Sequence, residues 1–224
     1  MQQRYPTTLT RPAVSTSALA TNSVLRNTYL LLGATLGFSA LTAGIAMALN
    51  MPHLGLITLV GYFGLLFAVH KTQNSAWGLV WTFALTGFMG LTLGPILNAY
   101  LKFLPNGSEI IMTAFGTTAV AFLGLSAYAI KSQRDFSFMG GFLVIGAIGA
   151  FVLGLVAYFF NMPTLSLVVS GLFLIVSGGL MLFETSNIVR GGERNYIIAT
   201  VTLYVSIYNM FLSLLHLLGA ASED

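Results

Sequence analysis

The chain has 224 residues, of which 56% are hydrophobic and only 7% charged, and it contains no cysteine. An ordinary soluble domain carries about 25% charged residues, so nine basic and six acidic side chains cannot cover a water-facing globule of this size, and the solvent for most of the chain is lipid. The lack of cysteine excludes disulfides, thiolate metal sites and thiol catalysis, and the basic residues are scattered singly rather than gathered into the basic face that nucleic acid requires.

Residues 1–26 are rich in Ser, Thr, Pro and Gln and predict a disordered tail. A seven-helix domain over 27–219 and a short tail over 220–224 follow. Crossing a bilayer core of about 30 Å takes roughly 20 apolar residues in a helix. Seven stretches meet this need, at 28–49, 53–70, 76–101, 109–131, 136–160, 163–183 and 195–218. Their apolar runs are continuous and do not alternate as barrel strands do. The fold class is therefore an all-α integral membrane protein. Asn50-Met51-Pro52 and Asn161-Met162-Pro163 predict tight connections, in which Asn ends one helix and Pro occupies the first turn of the next. Gly33/Gly37 and Gly90/Gly94 form Gly-x-x-x-Gly pairs that allow close backbone approach. Pro95 predicts a kink in the third helix. Glu109 and Asp135 fall at the starts of the fourth and fifth helices, where an acid suits the helix dipole, and read as caps.

With seven crossings, Arg4, Arg11, Arg26, Lys71, Lys131, Arg134, Arg190 and Arg194 lie on one side of the membrane and only Lys102 on the other. The positive-inside bias then predicts a cytoplasmic N-terminus and a C-terminus on the opposite face.

The seventh helix carries the most informative pattern. Asn195, Thr202, Ser206, Asn209, Ser213 and His216 recur at helical spacing on one face, and Tyr196, Tyr204 and Tyr208 add further polar groups. Polar groups left unsatisfied in hydrocarbon cost several kcal/mol, so this helix belongs inside the bundle. Two readings stay open: interhelical hydrogen bonding, or the lining of a polar, ion-accessible cavity. Glu184, just after the sixth helix, is either a buried candidate pH sensor or an interfacial acid paired with Arg190 or Arg194. The candidate polar core is Glu184, Ser206, Asn209, Tyr204 and Thr202. Arg4, Arg11 and Arg26 are the candidate partner-binding residues. His53, His70 and His216 form no ligand-spaced pair, so no metal is expected. No phosphate-binding glycine loop, and no Ser and His on separate helices with a nucleophile motif, is legible; no cofactor and no enzymatic activity are expected.

Phe183-Glu184-Thr185-Ser186-Asn187-Ile188, Gly191-Gly192, Asn195-Tyr196 and the run Leu203 to Asn209 resemble the Bax inhibitor family of multipass membrane proteins. Val24 to Tyr29, Thr86-Gly87-Phe88 and Gly94 to Asn98 fit the same group, so the resemblance spans residues 24–219. It implies six helices around a central C-terminal one. For the bacterial members most like this chain it implies an inner-membrane protein that binds and restrains an FtsH-type ATP-dependent protease. Other members imply a pH-sensitive calcium or proton leak whose sensor is an Asp in helix six and an Asp in helix seven. The matching positions here are Glu184 and Ser206, so only one carboxyl of that pair is present, and a calcium partner is in doubt.

Overall fold

The computed structural model describes residues 14–222, with side chains from Ser23 onward. Seven helices follow in order: α1 (Val14–Ala48), α2 (Ile57–Thr72), α3 (Ala76–Phe103), α4 (Gly107–Ser132), α5 (Gly140–Phe159), α6 (Pro163–Val189) and α7 (Tyr196–Ala220), with a 3-10 turn at Ser137–Met139 before α5. Among the described residues there is no strand. Six of the helices are long and apolar enough to cross a membrane; α2 is shorter.

The first helix begins at Val14, well before the expected position 28, so residues 14–26 of the expected disordered tail are helical. This segment has no helix breaker once Pro12 is passed, and its Ser, Thr and Ala residues extend the apolar span beyond it. The rest of the tail, with Arg4 and Arg11, lies outside the described residues; Arg26 is exposed on α1.

The two Asn-Met-Pro segments make the same helix ending. Asn50 and Asn161 are left-handed, with φ of 48° and 49°. Met51 N–H donates to the Ala46 carbonyl and Asn50 N–H to that of Met47, at 3.0 and 3.1 Å; Met162 and Asn161 repeat the pattern on Ala157 and Tyr158, at 3.0 and 3.4 Å. This is the Schellman arrangement, which satisfies the last carbonyls of a helix. The two segments then diverge. Pro163 opens α6 at once, as expected, whereas Pro52 does not open α2, which starts at Ile57 after Gly55 adopts φ 54°.

Helices α1 and α3 run parallel. The Asn98 amide donates to the Met47 carbonyl at 2.9 Å, and Lys102 Nζ to Asn50 Oδ1 at 2.7 Å, so the two helices end at one level. Residues 51–72 must therefore return across the bundle. The 16 residues of α2 rise only about 24 Å, and the irregular segment before it covers the rest. Odd-numbered helices thus point one way and even-numbered ones the other. Arg26, Lys71, Lys131, Arg134, Arg190 and Arg194 gather at the end where α1 begins, called here the basic end; at the far end the described residues place only Lys102.

Over half (56%) of the apolar stretch of α7 is buried, more than in any of the other membrane-length helices. Helices α1, α3, α4 and α6 flank it; α2 packs mainly on α3 and α5 on α6. The six expected neighbours of α7 are thus arranged as four direct neighbours and two outer helices. Pro95 sits inside α3 without interrupting it.

The two glycine pairs differ in kind. A Cβ on Gly90 would overlap the Ser39 carbonyl and the Thr42 hydroxyl, and one on Gly94 would meet Ala46 and the Ala43 carbonyl. Gly33 and Gly37 face open space. Close approach is therefore the role of the α3 pair alone. Gly90→Ala and Gly94→Ala are each expected to destabilise the protein by about 1–3 kcal/mol through overpacking, lowering its thermal midpoint in detergent, while Gly33→Ala and Gly37→Ala leave it unchanged. Equal effects from both pairs would contradict this packing.

Candidate functional site

The residues that carry the family resemblance build the connection from α6 to α7 at the basic end. Gly191 is left-handed (φ 76°), and the Gly191 and Gly192 amides donate to the carbonyls of Ile188 and Asn187, at 3.0 and 2.9 Å. A side chain on Gly192 would overlap Asn187 Oδ1. Asn195 then caps α7: its Oδ1 accepts from the amides of Ile197 and Ile198, at 2.9 and 3.4 Å. Its Nδ2 donates to the Gln73 carbonyl and to Asn74 Oδ1, both at 3.1 Å, tying this connection to the α2–α3 turn. Ser186 Oγ donates to the Arg134 carbonyl at 2.7 Å, and Arg190 pairs with Asp135 at 2.8 Å, which ties in the α4–α5 turn. Asp135 also accepts from the Ser137 hydroxyl and amide, and these bonds, with Arg190 beside it, hold its carboxyl below the usual aspartate range. Asp135 thus bonds the first residue of the 3-10 turn and does not cap α5. Glu109 lies in the first turn of α4, where it suits the dipole; Asn106 is the N-cap residue, and no side-chain bond caps the helix.

Glu184 lies within α6, not after it, and is buried at 5% exposure. It pairs with neither Arg190 nor Arg194; the interfacial expectation fails because Arg190 is taken by Asp135. Glu184 Oε1 has no hydrogen-bond partner, and Thr28 Oγ1 and Ser126 Oγ are buried and unpartnered in the same way. The α6–α7 register, set by Ser170 against His216 and Gly178 against Met210, brings Glu184 level with the turn from Thr202 to Ser206. Ser206 is buried and donates to the Thr202 carbonyl at 2.8 Å, and Thr202 is half-buried.

The expected stripe of Thr202, Ser206, Asn209, Ser213 and His216 lies along one side of α7, and Thr200 with the tyrosines forms a second polar face on the other. On this second face, Thr200 donates to the Tyr196 and Thr28 carbonyls, at 2.7 and 3.2 Å. Tyr204, 1% exposed, donates to the Thr86 carbonyl at 3.2 Å and shares a 2.6 Å bond with Ser39 Oγ. Tyr208 donates to the Met89 carbonyl at 3.3 Å. These are the interhelical bonds of a membrane bundle, and they join α7 to α1 and α3. On the stripe side, Asn209, Ser213 and His216 line a cavity toward the far end, beside Ser170 of α6. Tyr204 and Asn209, grouped by the sequence reading in one polar core, are therefore in separate environments. Ser170 Oγ lies 2.7 Å from His216 Nδ1. Sequence spacing could not find this pair, because its residues meet only through the register of two helices. Among the described residues no three His, Asp or Glu side chains gather as metal ligands would.

The bundle and its α6–α7 connection define a polytopic all-helical membrane protein. The family described as "Inhibitor of apoptosis-promoting Bax1" matches residues 21–223, and the chain belongs to this Bax inhibitor family. It is similar to the Escherichia coli K12 protein named modulator of FtsH protease YccA, with 51% identity over 211 residues, 93% of this chain and 95% of the relative. It is also similar to an uncharacterized protein of Pseudomonas aeruginosa, with 50% identity over 204 residues and 91% of each chain, and to an uncharacterized membrane protein of Vibrio cholerae, with 47% identity over 96% of this chain and 97% of the relative.

Removing the Asn195 side chain tests the connection. Asn195→Ala is expected to cost about 1–2 kcal/mol, as N-cap losses do, and to speed amide exchange at Ile197 and Ile198. Unchanged protection at both amides would show that the cap does not hold the start of α7.

Proposed function

We propose that this protein is a regulator in the bacterial inner membrane that binds an FtsH-type ATP-dependent membrane protease and restrains it. The observation that carries the reading is its 51% identity, over nearly the whole of both chains, to the relative named modulator of FtsH protease. The same relative in another E. coli strain is named an inner membrane protein, which supports the location. The protein acts by binding and not by catalysis. Its basic end faces the cytoplasm, in keeping with the positive-inside bias, and its C-terminus faces the periplasm. The six other helices surround α7, four in direct contact with it and α2 and α5 outside them. Residues 1–26, with Arg4, Arg11 and Arg26, are the segment that the protease engages.

The test is co-expression with the protease and a membrane-protein substrate. The full chain is expected to co-purify with the protease after crosslinking and to lengthen the substrate half-life several-fold. A chain lacking residues 1–13 is expected to lose most of that effect while remaining in the membrane. An unchanged half-life with the full chain present in the membrane would reject the reading.

A second reading, a pH-sensitive cation leak, is favoured by the buried Glu184 with its unpartnered oxygen and by the two other unpartnered hydroxyls on α1 and α4. In proteoliposomes of the purified chain it predicts a calcium flux whose pH dependence disappears in Glu184→Gln. No flux above empty liposomes would reject it.

A further inference from the structure

The half of the bundle away from Glu184 contains a cavity of about 370 Å³ between α3, α6 and α7. Small-molecule sites begin at about 300 Å³. One wall is a polar rail of Asn209, Ser213 and His216, at the i, i+4, i+7 spacing that lines up side chains along a helix. The His216 ring is held by Ser170 at 2.7 Å. The Asn209 amide and the Ser213 hydroxyl have no hydrogen-bond partner among the described residues, although Ser213 is buried. The facing wall, with Ile96 and Phe173, is apolar. A second hollow of about 310 Å³, formed at the ends of α3 and α7, shares Tyr100 and His216 with the first and leads to it from the far end of the bundle. Asn209 lies about 16 Å and His216 about 6 Å from the end of α7 at Ala220, so the slot runs from the membrane surface to well inside the hydrocarbon.

We infer that this slot binds an uncharged amphiphile, whose hydroxyl groups meet the α7 rail and whose hydrocarbon lies against Ile96 and Phe173. Two unpaired polar side chains at this depth are costly unless something bonds to them, and a ligand hydroxyl can both donate to and accept from an amide. Among the described residues no Lys, Arg, Asp or Glu lines either hollow, so a charged headgroup in the membrane-embedded part of the slot would lack a counter-ion, which hydrocarbon surroundings penalise heavily. The apolar wall in turn disfavours a ligand that is polar all round. The slot uses neither Glu184 nor the basic-end connection, so it stands apart from both readings of function.

The test is photolabelling of the full chain in nanodiscs with a diazirine-bearing decanoylglycerol, with the matching decanoate and decyltrimethylammonium probes as charged controls. Labels from the glycerol probe are expected on residues 96–104 and 209–220, above the labelling by either charged probe. Asn209→Leu is expected to cut this labelling about fivefold or more, the equivalent of one hydrogen bond. Its thermal midpoint should hold or rise, because it removes an unpaired amide. Ser213→Ala, which neither fills nor charges the slot, should reduce labelling in the same direction. Labels scattered over the lipid-facing helices, as a slot filled with water only would give, would overturn the inference. So would labelling unchanged in both variants, or equal labelling by a charged probe.

Discussion

Hydrocarbon offers no hydrogen-bond partner, so every polar group that α7 carries into the membrane must be met from within the protein. This constraint explains why α7 is the most enclosed of the membrane-length helices. It also links two features that look independent. Ser39 packs its carbonyl against Gly90 and shares its hydroxyl with Tyr204. The glycine-mediated contact of α1 with α3 and the hydroxyl bonds that anchor α7 are therefore one device. A side chain at Gly90 would push apart the same two helices whose groups satisfy Tyr204.

The two halves of the bundle are built differently. At the basic end, the turns α2–α3, α4–α5 and α6–α7 are joined by Asn195 to Gln73 and Asn74, by Ser186 to Arg134 and by Arg190 to Asp135. Three separate connections form one continuous surface, with Glu184 buried just inside it. The ion pair among them is half-exposed and contributes little by itself; the bonds to backbone carbonyls set the geometry. At the far end the described residues give two such ties, Asn98 to the Met47 carbonyl and Lys102 to Asn50, both between α1 and α3. The slot beside Tyr100 and His216 lies at this end, so a laced surface and a hollow sit at opposite ends of the same α7.

The helices themselves were legible because lipid imposes a length of apolar chain on each crossing, and six of them reach that length. The short α2 was misplaced at its start because Pro52 suits a first helical turn, whereas Gly55 delays the helix. The early start of α1 was missed because Ser, Thr and Ala look alike in a helix and in a loose tail. Of the candidate site, Gly191, Gly192 and Asn195 were legible only through the family resemblance, and Asn195 reads as part of the α7 stripe although it is the cap of that helix. The meeting of Ser170 with His216 was not legible, because it depends on how two helices slide and rotate against one another. Gly33/Gly37 and Gly90/Gly94 make the same point: the spacing is identical, and only the neighbour decides whether a pair is a contact or an open groove.

The geometry around Glu184 also bears on how the chain departs from a two-carboxylate sensor. Two carboxyls at one site can share a proton and titrate as a coupled pair. The family resemblance matches Ser206 to the second carboxyl of such a pair, and its proton is committed to the Thr202 carbonyl on its own helix. It can accept a hydrogen bond from Glu184 but cannot supply a second titrating group. The carboxyl that does act on Glu184 is Glu193, in the α6–α7 connection; α7 itself carries no acid that could be pulled toward it or away. That arrangement suits a fixed face presented to a partner better than a gate that opens by separating two charges.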